Sequence, residues 1–212
     1  MEQEIALDYG CGSGEYLELQ EDDRLVRDLW LRRHGGPNVY AIDVNSSYVG
    51  SMIQRVSSDI HFSVCDGTHM PMFKDGFFNL VHEGFTLHHM PDYKAGIKEI
   101  ARVLRPGGKL IMTESVDNFL IYRLTRRVMR NWRGDEVESF FKTYELRQEL
   151  LKYFTITREE FCYRDTICNV LALIQKEPRF CRVAQSKLTT LLTRLSVAEP
   201  FCSHYVVEAI RK

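Results

Sequence analysis

Residues 6–16 read ALDYGCGSGEY, a short apolar run followed by three glycines at alternate positions. A glycine-rich turn after the first strand of a doubly wound sheet lets a ligand approach the backbone closely, near the start of the following helix. Dinucleotide-binding loops carry the fingerprint G-x-G-x-x-G. Here the glycines are Gly10, Gly12 and Gly14, and Glu15 stands at the sixth place, where a carboxylate would repel a pyrophosphate. The loop therefore argues against a dinucleotide, and by itself it leaves a simple chain reversal as the alternative.

The rest of the chain alternates between predicted strands and helices. Short apolar runs predict strands at 5–9, 39–43, 61–64, 77–82 and 109–113. Helical periodicity predicts helices over 15–33, 46–56 and 92–104, and Arg105–Gly108 is predicted as a turn. Residues 143–163 are predicted as a helix followed by a sixth strand, and 203–212 as a seventh strand. Strands separated by helices imply a parallel sheet with helices on both faces.

Composition and charge exclude several classes of protein. The net charge of −1 gives no global field that would favour nucleic acid, and no apolar run is long enough for a transmembrane helix. The acidic N-terminus predicts no secretory signal. The six cysteines form no C-x-x-C pair, which argues against a zinc site and a disulfide framework. We expect a cytoplasmic protein with reduced thiols, no metal and no nucleic-acid partner.

Acidic residues follow two further predicted strands. Asp43 ends the second strand, where a carboxylate can accept both hydroxyls of a ribose, and Asp66 follows the third, where it can accept an adenine amino group. Each residue taken alone is also typical of a helix cap or a turn. Together with the glycine loop they place polar groups at the ends of three adjacent strands. This arrangement predicts an adenosine-containing ligand without a diphosphate.

Five segments occur in order along the chain: LDYGCGSG, VYAIDVN, CDGTHMPMFKDGFFNLV, LHHMPD and ARVLRPGGKLIMTE. Together they resemble the successive motifs of the class I S-adenosylmethionine-dependent methyltransferases, most closely the branch that acts on small molecules and lipids. The resemblance covers residues 5 to 116. It implies an α/β fold with a Rossmann-like, doubly wound sheet of seven strands in the order 3-2-1-4-5-7-6. The last strand is expected to be antiparallel, and a helical cap is expected after strand five.

The resemblance also implies which residues bind S-adenosyl-L-methionine and its product, S-adenosyl-L-homocysteine. The glycine loop would hold the methionine part of the cofactor, and the acids after strands two and three would hold the ribose and the adenine. Asp8 would support the loop or meet the methionine amino group, and the end of strand four would lie near the sulfonium. The residues carried over in this way are Asp8, Gly10, Cys11, Gly12, Gly14, Asp43, Val44, Asp66, Gly67, Glu83 and Gly84.

The implied activity is the in-line transfer of a methyl group to a small-molecule or lipid-like acceptor, which requires mainly alignment and dehydration. His88 and His89 follow strand four, and either could act as general base for a hydroxyl acceptor. The alternative is that they cap or pack the next helix, so we assign no catalytic residue. Two other functions stay open: an inactive cofactor-binding or regulatory protein, and a nicotinamide-dependent oxidoreductase. Glu15 and the missing sixth-place glycine disfavour the oxidoreductase.

We expect a single methyltransferase domain over 1–212, with helical cap segments at 117–143 and 167–196. Within the first cap segment, FLIYRLTRRVMRNWR (119–133) alternates apolar and basic positions with helical spacing. Its arginines are Arg123, Arg126, Arg127, Arg130 and Arg133. They predict either a solvated face or a basic cap that receives an anionic substrate or rests on an anionic membrane surface.

Two features depart from the family pattern. The gap between Gly14 and Asp43 is longer than usual, and only Met1 to Glu4 precede the first strand. Family members usually carry N-terminal helices there, which help to cover the cofactor and the substrate. Two explanations are open: a truncated form of the protein, or a cap contributed from elsewhere.

Overall fold

A computed structural model of the protein describes residues 5–12, 38–55, 59–116, 141–162 and 204–212. Seven strands form one sheet in the order β3-β2-β1-β4-β5-β7-β6. They are β1 Ala6–Tyr9, β2 Val39–Asp43, β3 His61–Val64, β4 Phe78–Gly84, β5 Leu104–Ser115, β6 Phe154–Cys162 and β7 His204–Arg211. Strand β7 runs antiparallel to both of its neighbours, and the other pairs are parallel. The expected fold class, strand order and antiparallel last strand are confirmed.

The central strands are buried because both faces of the sheet are covered. All four residues of β1 are buried, and β4 is buried at six of its seven positions. Strand β3 lies at the edge of the sheet and is exposed at both of its ends. Parallel strands place their carboxyl ends at one edge of a sheet, which is where a doubly wound fold binds its ligand. The ends of β1, β2, β3 and β4 therefore converge on one edge.

Three α-helices lie within the described residues: α1 Ser46–Arg55, α2 Tyr93–Val103 and α3 Thr143–Tyr153. Helix α1 buries Val49 and Met52 in a small core on one face of the sheet. Asp92 is the N-cap residue of helix α2, because its side chain accepts a hydrogen bond from the backbone of Ala95 at 3.0 Å. Its apolar side packs into the main core on the opposite face. The predicted helices at 46–56 and 92–104 are correct to within one residue at each end.

The segment Arg105–Gly108 differs from the prediction. It was expected to be a turn, but it continues β5. Phe78 pairs with Leu104 and Leu80 pairs with Lys109. One residue on β4 therefore lies opposite four on β5, and the extra residues form an irregularity in the ladder. Gly107 adopts φ +75° there, a conformation that glycine accepts without strain.

Several predicted segments lie outside the described residues: the helix at 15–33, Gly14, the cap segment at 167–196 and all but the last three residues of the cap segment at 117–143. Within the residues that the structure does describe, no helix is long and apolar enough to cross a membrane.

Candidate functional site

The glycine loop leaves β1 against the end of β4. Gly10 and Gly12 have φ values of +76° and +63°, which side chains other than glycine rarely adopt. A Cβ atom on Gly10 would lie 2.3 Å from the side chain of Thr86. The Thr86 hydroxyl lies 3.2 Å from the backbone oxygen of Tyr9 and 3.3 Å from that of Gly84, so it joins the ends of β1 and β4. Sequence reasoning missed Thr86, because its role depends on a contact between two strands.

Asp43 connects the glycine loop to the end of β2. Its Oδ2 accepts a hydrogen bond from the backbone N–H of Gly12 at 2.9 Å, and its Oδ1 accepts one from Asn45 at 2.8 Å. The backbone N–H of Cys11 donates to the oxygen of Ile42 at 2.7 Å. A carboxylate has about four acceptor sites, so two bonds leave capacity for a ligand. The half-buried Asp43 is thus positioned to accept hydroxyl groups at the edge of the sheet.

Asp66 stands at the end of β3, where the chain turns. Its Oδ1 accepts hydrogen bonds from the backbone and the hydroxyl of Thr68, at 2.8 and 2.9 Å. This is the turn-forming role that aspartate often has, and the exposed carboxylate keeps further acceptor sites. The backbone N–H of Cys65 donates to the oxygen of Asp43 at 2.9 Å, so the two acidic turns are tied to each other.

Tyr9 packs under the Asp66 turn. Its ring is fully buried, and a Cβ atom on Gly67 would lie 2.3 Å from the Tyr9 hydroxyl oxygen. A Cβ atom on Gly96 of α2 would lie 2.9 Å from the same oxygen. Gly67 is therefore required for the close packing of the Asp66 turn against Tyr9.

The loop after β3 is held by a pair of charged residues on α2. Arg102 donates to both carboxylate oxygens of Glu99, at 2.8 and 2.9 Å. It also donates to the backbone oxygens of Met70 and Phe73, at 2.9 and 2.8 Å. The backbone N–H of Met70 in turn donates to Glu99 at 2.6 Å. This bidentate pair fixes the loop that follows Asp66, and the motif alone did not indicate that function.

Asp8 is fully buried on the face of the sheet opposite to Tyr9. Its Oδ1 lies 3.0 Å from Nδ1 of His82, its partner in register on β4. The two side chains form a buried acid–imidazole pair between the central strands. The predicted roles of Asp8, in supporting the loop or meeting an amino group, stay predictions.

Glu83 is fully buried at the end of β4, and its Oε1 accepts a hydrogen bond from the backbone of Thr86 at 2.8 Å. Phe85 follows Gly84 with φ +56°, an uncommon conformation for an aromatic residue and one that often marks functional sites. Its backbone N–H donates to the oxygen of Thr113 on β5 at 2.8 Å. The chain therefore leaves β4 through a strained bend at the edge where the other ends converge.

A short 3₁₀ turn, Leu87–His89, follows this bend. His88 is buried, with Nδ1 2.7 Å from Oε2 of Glu114, whereas His89 is exposed and its ring centroid lies 4.1 Å from that of His88. Glu114 is fully buried on β5 and accepts a hydrogen bond from the backbone of Leu87 at 2.6 Å. Burial raises the pKa of Glu114 to about 7, although hydrogen bonds from backbone N–H groups oppose this shift. Sequence reasoning missed Glu114.

The structure brings most of the predicted site residues to one edge. The described part of the glycine loop and the ends of β2, β3 and β4 all lie there. Val44 lies there too but is 73% exposed, whereas Cys11, which is part of the loop, is buried. The carboxylates and left-handed glycines form a donor and acceptor set that suits a ribose, an amino group and a closely approaching polar chain.

The model of the family described as "Methyltransferase domain" matches residues 7–112, half of the chain. The chain belongs to the class I S-adenosylmethionine-dependent methyltransferases. This match covers the glycine loop, both acidic turns and the strands that carry them.

The chain is similar in sequence to parts of two named methyltransferases. It is 31% identical over 115 residues to "Methyltransferase GfsG" from Streptomyces halstedii, which covers 52% of this chain and 37% of that protein. It is 30% identical over 110 residues to the demethylmenaquinone methyltransferase of Staphylococcus haemolyticus (strain JCSC1435), which covers 52% of this chain and 43% of that one. The chain thus spans less than half of either relative.

Solved structures share the fold of this methyltransferase. The geranyl diphosphate C-methyltransferase from Streptomyces coelicolor A3(2), in complex with Mg²⁺, geranyl diphosphate and S-adenosyl-L-homocysteine, superposes with a TM-score of 0.65 at 14% identity. The alignment covers 99% of this chain and 73% of that one. MccD protein gives a TM-score of 0.64 at 15% identity, covering 99% and 90% of the two chains. At these identities the likeness concerns the fold alone.

Proposed function

We propose that the protein transfers a methyl group from S-adenosyl-L-methionine to a small-molecule or lipid-like acceptor by in-line displacement. The observation that carries the proposal is the hydrogen bond between Gly12 and Asp43, at 2.9 Å. It holds a carboxylate with spare acceptor sites beside a left-handed glycine loop, in a chain that belongs to this family. The cofactor, when bound, supplies an activated methyl group on a sulfonium.

The residues of the chain fit this cofactor. Asp43 has acceptor sites left for ribose hydroxyls, and Asp66 has them for the adenine amino group. The backbone of Gly10 and Gly12 lets the methionine part approach closely, because no Cβ atom stands in the way. Glu83 and Gly84 lie at the end of β4, where the sulfonium is expected. These residues bind and orient the cofactor, and alignment with dehydration accounts for most of the rate.

The acceptor belongs to the same proposal. Relatives are named for demethylmenaquinone, and a structure with the same fold contains geranyl diphosphate. We propose a small apolar or lipid-like acceptor, with the basic segment 119–133 contacting an anionic group on it or an anionic membrane surface. The proposal includes a cytoplasmic location, in keeping with the buried thiols of Cys11 and Cys65, neither of which forms a disulfide.

Calorimetry with S-adenosyl-L-homocysteine and with NAD tests the cofactor, and we expect binding of the first and little heat from the second. Tight NAD binding without any heat from S-adenosyl-L-homocysteine would overturn the proposal. Turnover of S-adenosyl-L-methionine against a panel of quinols, prenyl compounds, lipids and small acids then tests the activity. Cofactor binding with no turnover on any member of the panel would favour the inactive binder.

The basic segment is tested by replacing Arg123, Arg126, Arg127 and Arg130 with glutamine. We expect unchanged cofactor binding but reduced turnover or reduced binding to phosphatidylglycerol vesicles, with the largest loss at low ionic strength. If turnover and vesicle binding both stay unchanged, the arginines form a solvated face without a role in recognition.

A further inference from the structure

Glu83 and Glu114 form a carboxyl pair between β4 and β5. Both side chains are fully buried. Oε1 of each carboxyl group accepts a hydrogen bond from the same backbone N–H, that of Leu87. Two ionised carboxylates this deep and this close together would repel each other strongly, so burial favours one negative charge over two.

The backbone determines where that charge lies. Glu114 accepts hydrogen bonds from the backbone of Leu87 at 2.6 Å and of Ser115 at 3.0 Å. Glu83 accepts from Thr86 at 2.8 Å and, more weakly, from Leu87 at 3.3 Å. Amide donors stabilise the ionised form of a carboxyl group, and the bonds to Glu114 are the shorter ones. Glu114 is consequently the member of the pair that ionises more readily.

The negative charge on Glu114 determines the role of His88 in their hydrogen bond. Nδ1 of His88 lies 2.7 Å from Oε2 of Glu114, and both side chains are almost completely shielded from solvent. Because an ionised Glu114 can only accept, Nδ1 of His88 must be the donor. In the neutral imidazole, Nε2 is then the nitrogen that carries no proton.

We infer that Glu114 is a positioning residue that fixes the tautomer of His88, with the proton on Nδ1 and none on Nε2. Its bond to the backbone of Leu87 also holds the 3₁₀ turn. The value of this arrangement for catalysis rests on the proposed function, since a bare Nε2 is the nitrogen that could accept a proton from a hydroxyl acceptor. The arrangement itself is a property of the free protein.

Nuclear magnetic resonance of the free protein, labelled with ¹⁵N at histidine, reads the tautomer directly. Spectra are recorded about one pH unit above the pKa of Glu114, so that Glu114 is ionised. His88→Gln identifies the His88 signals by their loss. In the wild type we expect a protonated Nδ1 and a bare Nε2. In Glu114→Gln the side-chain NH₂ donates to Nδ1, so we expect the proton to move to Nε2 and the tautomer ratio to reverse.

Glu99→Gln is the matched control. Glu99 is also a buried glutamate that accepts a hydrogen bond from a backbone amide, but it lies on α2 away from the pair. This variant should leave the His88 tautomer unchanged. A folded Glu114→Gln protein that keeps the proton on Nδ1, or a wild type with the proton on Nε2, would overturn the inference.

Glu83→Gln keeps the inference testable if Glu114→Gln does not fold. This substitution keeps Glu114 and its backbone donors, so we expect the proton of His88 to stay on Nδ1. A folded Glu83→Gln protein with the proton of His88 on Nε2 would overturn the inference. None of these measurements uses a cofactor or an acceptor, so their outcome is separate from that of the calorimetry.

Discussion

Oδ2 of Asp43 accepts a hydrogen bond from the backbone N–H of Gly12 at 2.9 Å. The two residues are 31 positions apart in the chain, and the bond joins the ends of β1 and β2 at the ligand edge of the sheet. The same carboxylate thus holds the glycine loop and has acceptor sites left for a ligand. Its removal should therefore affect both the loop and the affinity for the ligand.

Asp43→Ala removes the acceptor for Gly12 and the carboxylate that we propose binds the ribose. Hydrogen bonds to charged groups contribute about 1.5–3 kcal/mol each, so we expect the affinity for S-adenosyl-L-homocysteine to fall by about tenfold or more. Calorimetry measures the affinity, and circular dichroism checks that the fold is retained. Asp59→Ala, an exposed aspartate before the start of β3, is the control and should bind normally. Equal binding by the Asp43 variant would show that the ribose assignment is wrong.

Gly10→Ala places a methyl group where Thr86 already lies, at a positive φ that alanine disfavours. We expect a loss of stability of about 1–3 kcal/mol and weaker cofactor binding. Gly50→Ala is the matched control, because a Cβ atom there would have no neighbour within 4 Å and Gly50 lies in α1. That variant should gain up to about 1 kcal/mol. Urea unfolding compares the two, and equal stabilities would contradict the packing argument.

Arg102→Met breaks the bidentate pair with Glu99 and frees the backbone oxygens of Met70 and Phe73. Leaving a mostly buried carboxylate without its cation is costly, so we expect a loss of about 2–4 kcal/mol in the free energy of unfolding. Lys98→Met on the exposed side of α2 should change it by less than about 0.5 kcal/mol. Similar denaturation midpoints for both variants would show that the pair does not hold the loop.

Burial raises the pKa of Glu114 from its usual 4.5 to about 7 in the folded protein. The folded state therefore binds this proton more tightly than the unfolded chain does. The free energy of unfolding should fall as pH rises from about 4.5 to about 7, by about 3 kcal/mol at most, and level off above. Urea unfolding at a series of pH values measures this slope.

In Glu114→Gln the group no longer titrates, so the slope over that interval should be reduced relative to the wild type. Glu83 and His88, the ionisable groups next to Glu114, are kept in this variant. Parallel pH profiles of the two proteins would show that Glu114 does not take up a proton over this interval.

The sequence allowed much of this architecture to be predicted because local signals and the motif order agreed. Asp43 and Gly12 could be placed together, since each follows a predicted strand of one parallel sheet. The segment Arg105–Gly108 could not, because its composition is that of a turn while its conformation depends on pairing with β4. The contact between His88 and Glu114 depends in the same way on which strand lies beside β4. The burial of both side chains follows from the same strand pairing.

The Tyr9 ring, wedged against Gly67 and Gly96, makes the three positions share a fixed volume. A larger side chain at either glycine needs a smaller one at position 9, and a smaller residue at position 9 leaves a void unless a glycine is replaced. A substitution at one of the three positions should therefore be compensated by a substitution at another. Tyr9→Ala combined with Gly67→Ala should be tolerated better than the sum of the two single changes, which is a non-additivity measurable by a double-mutant cycle.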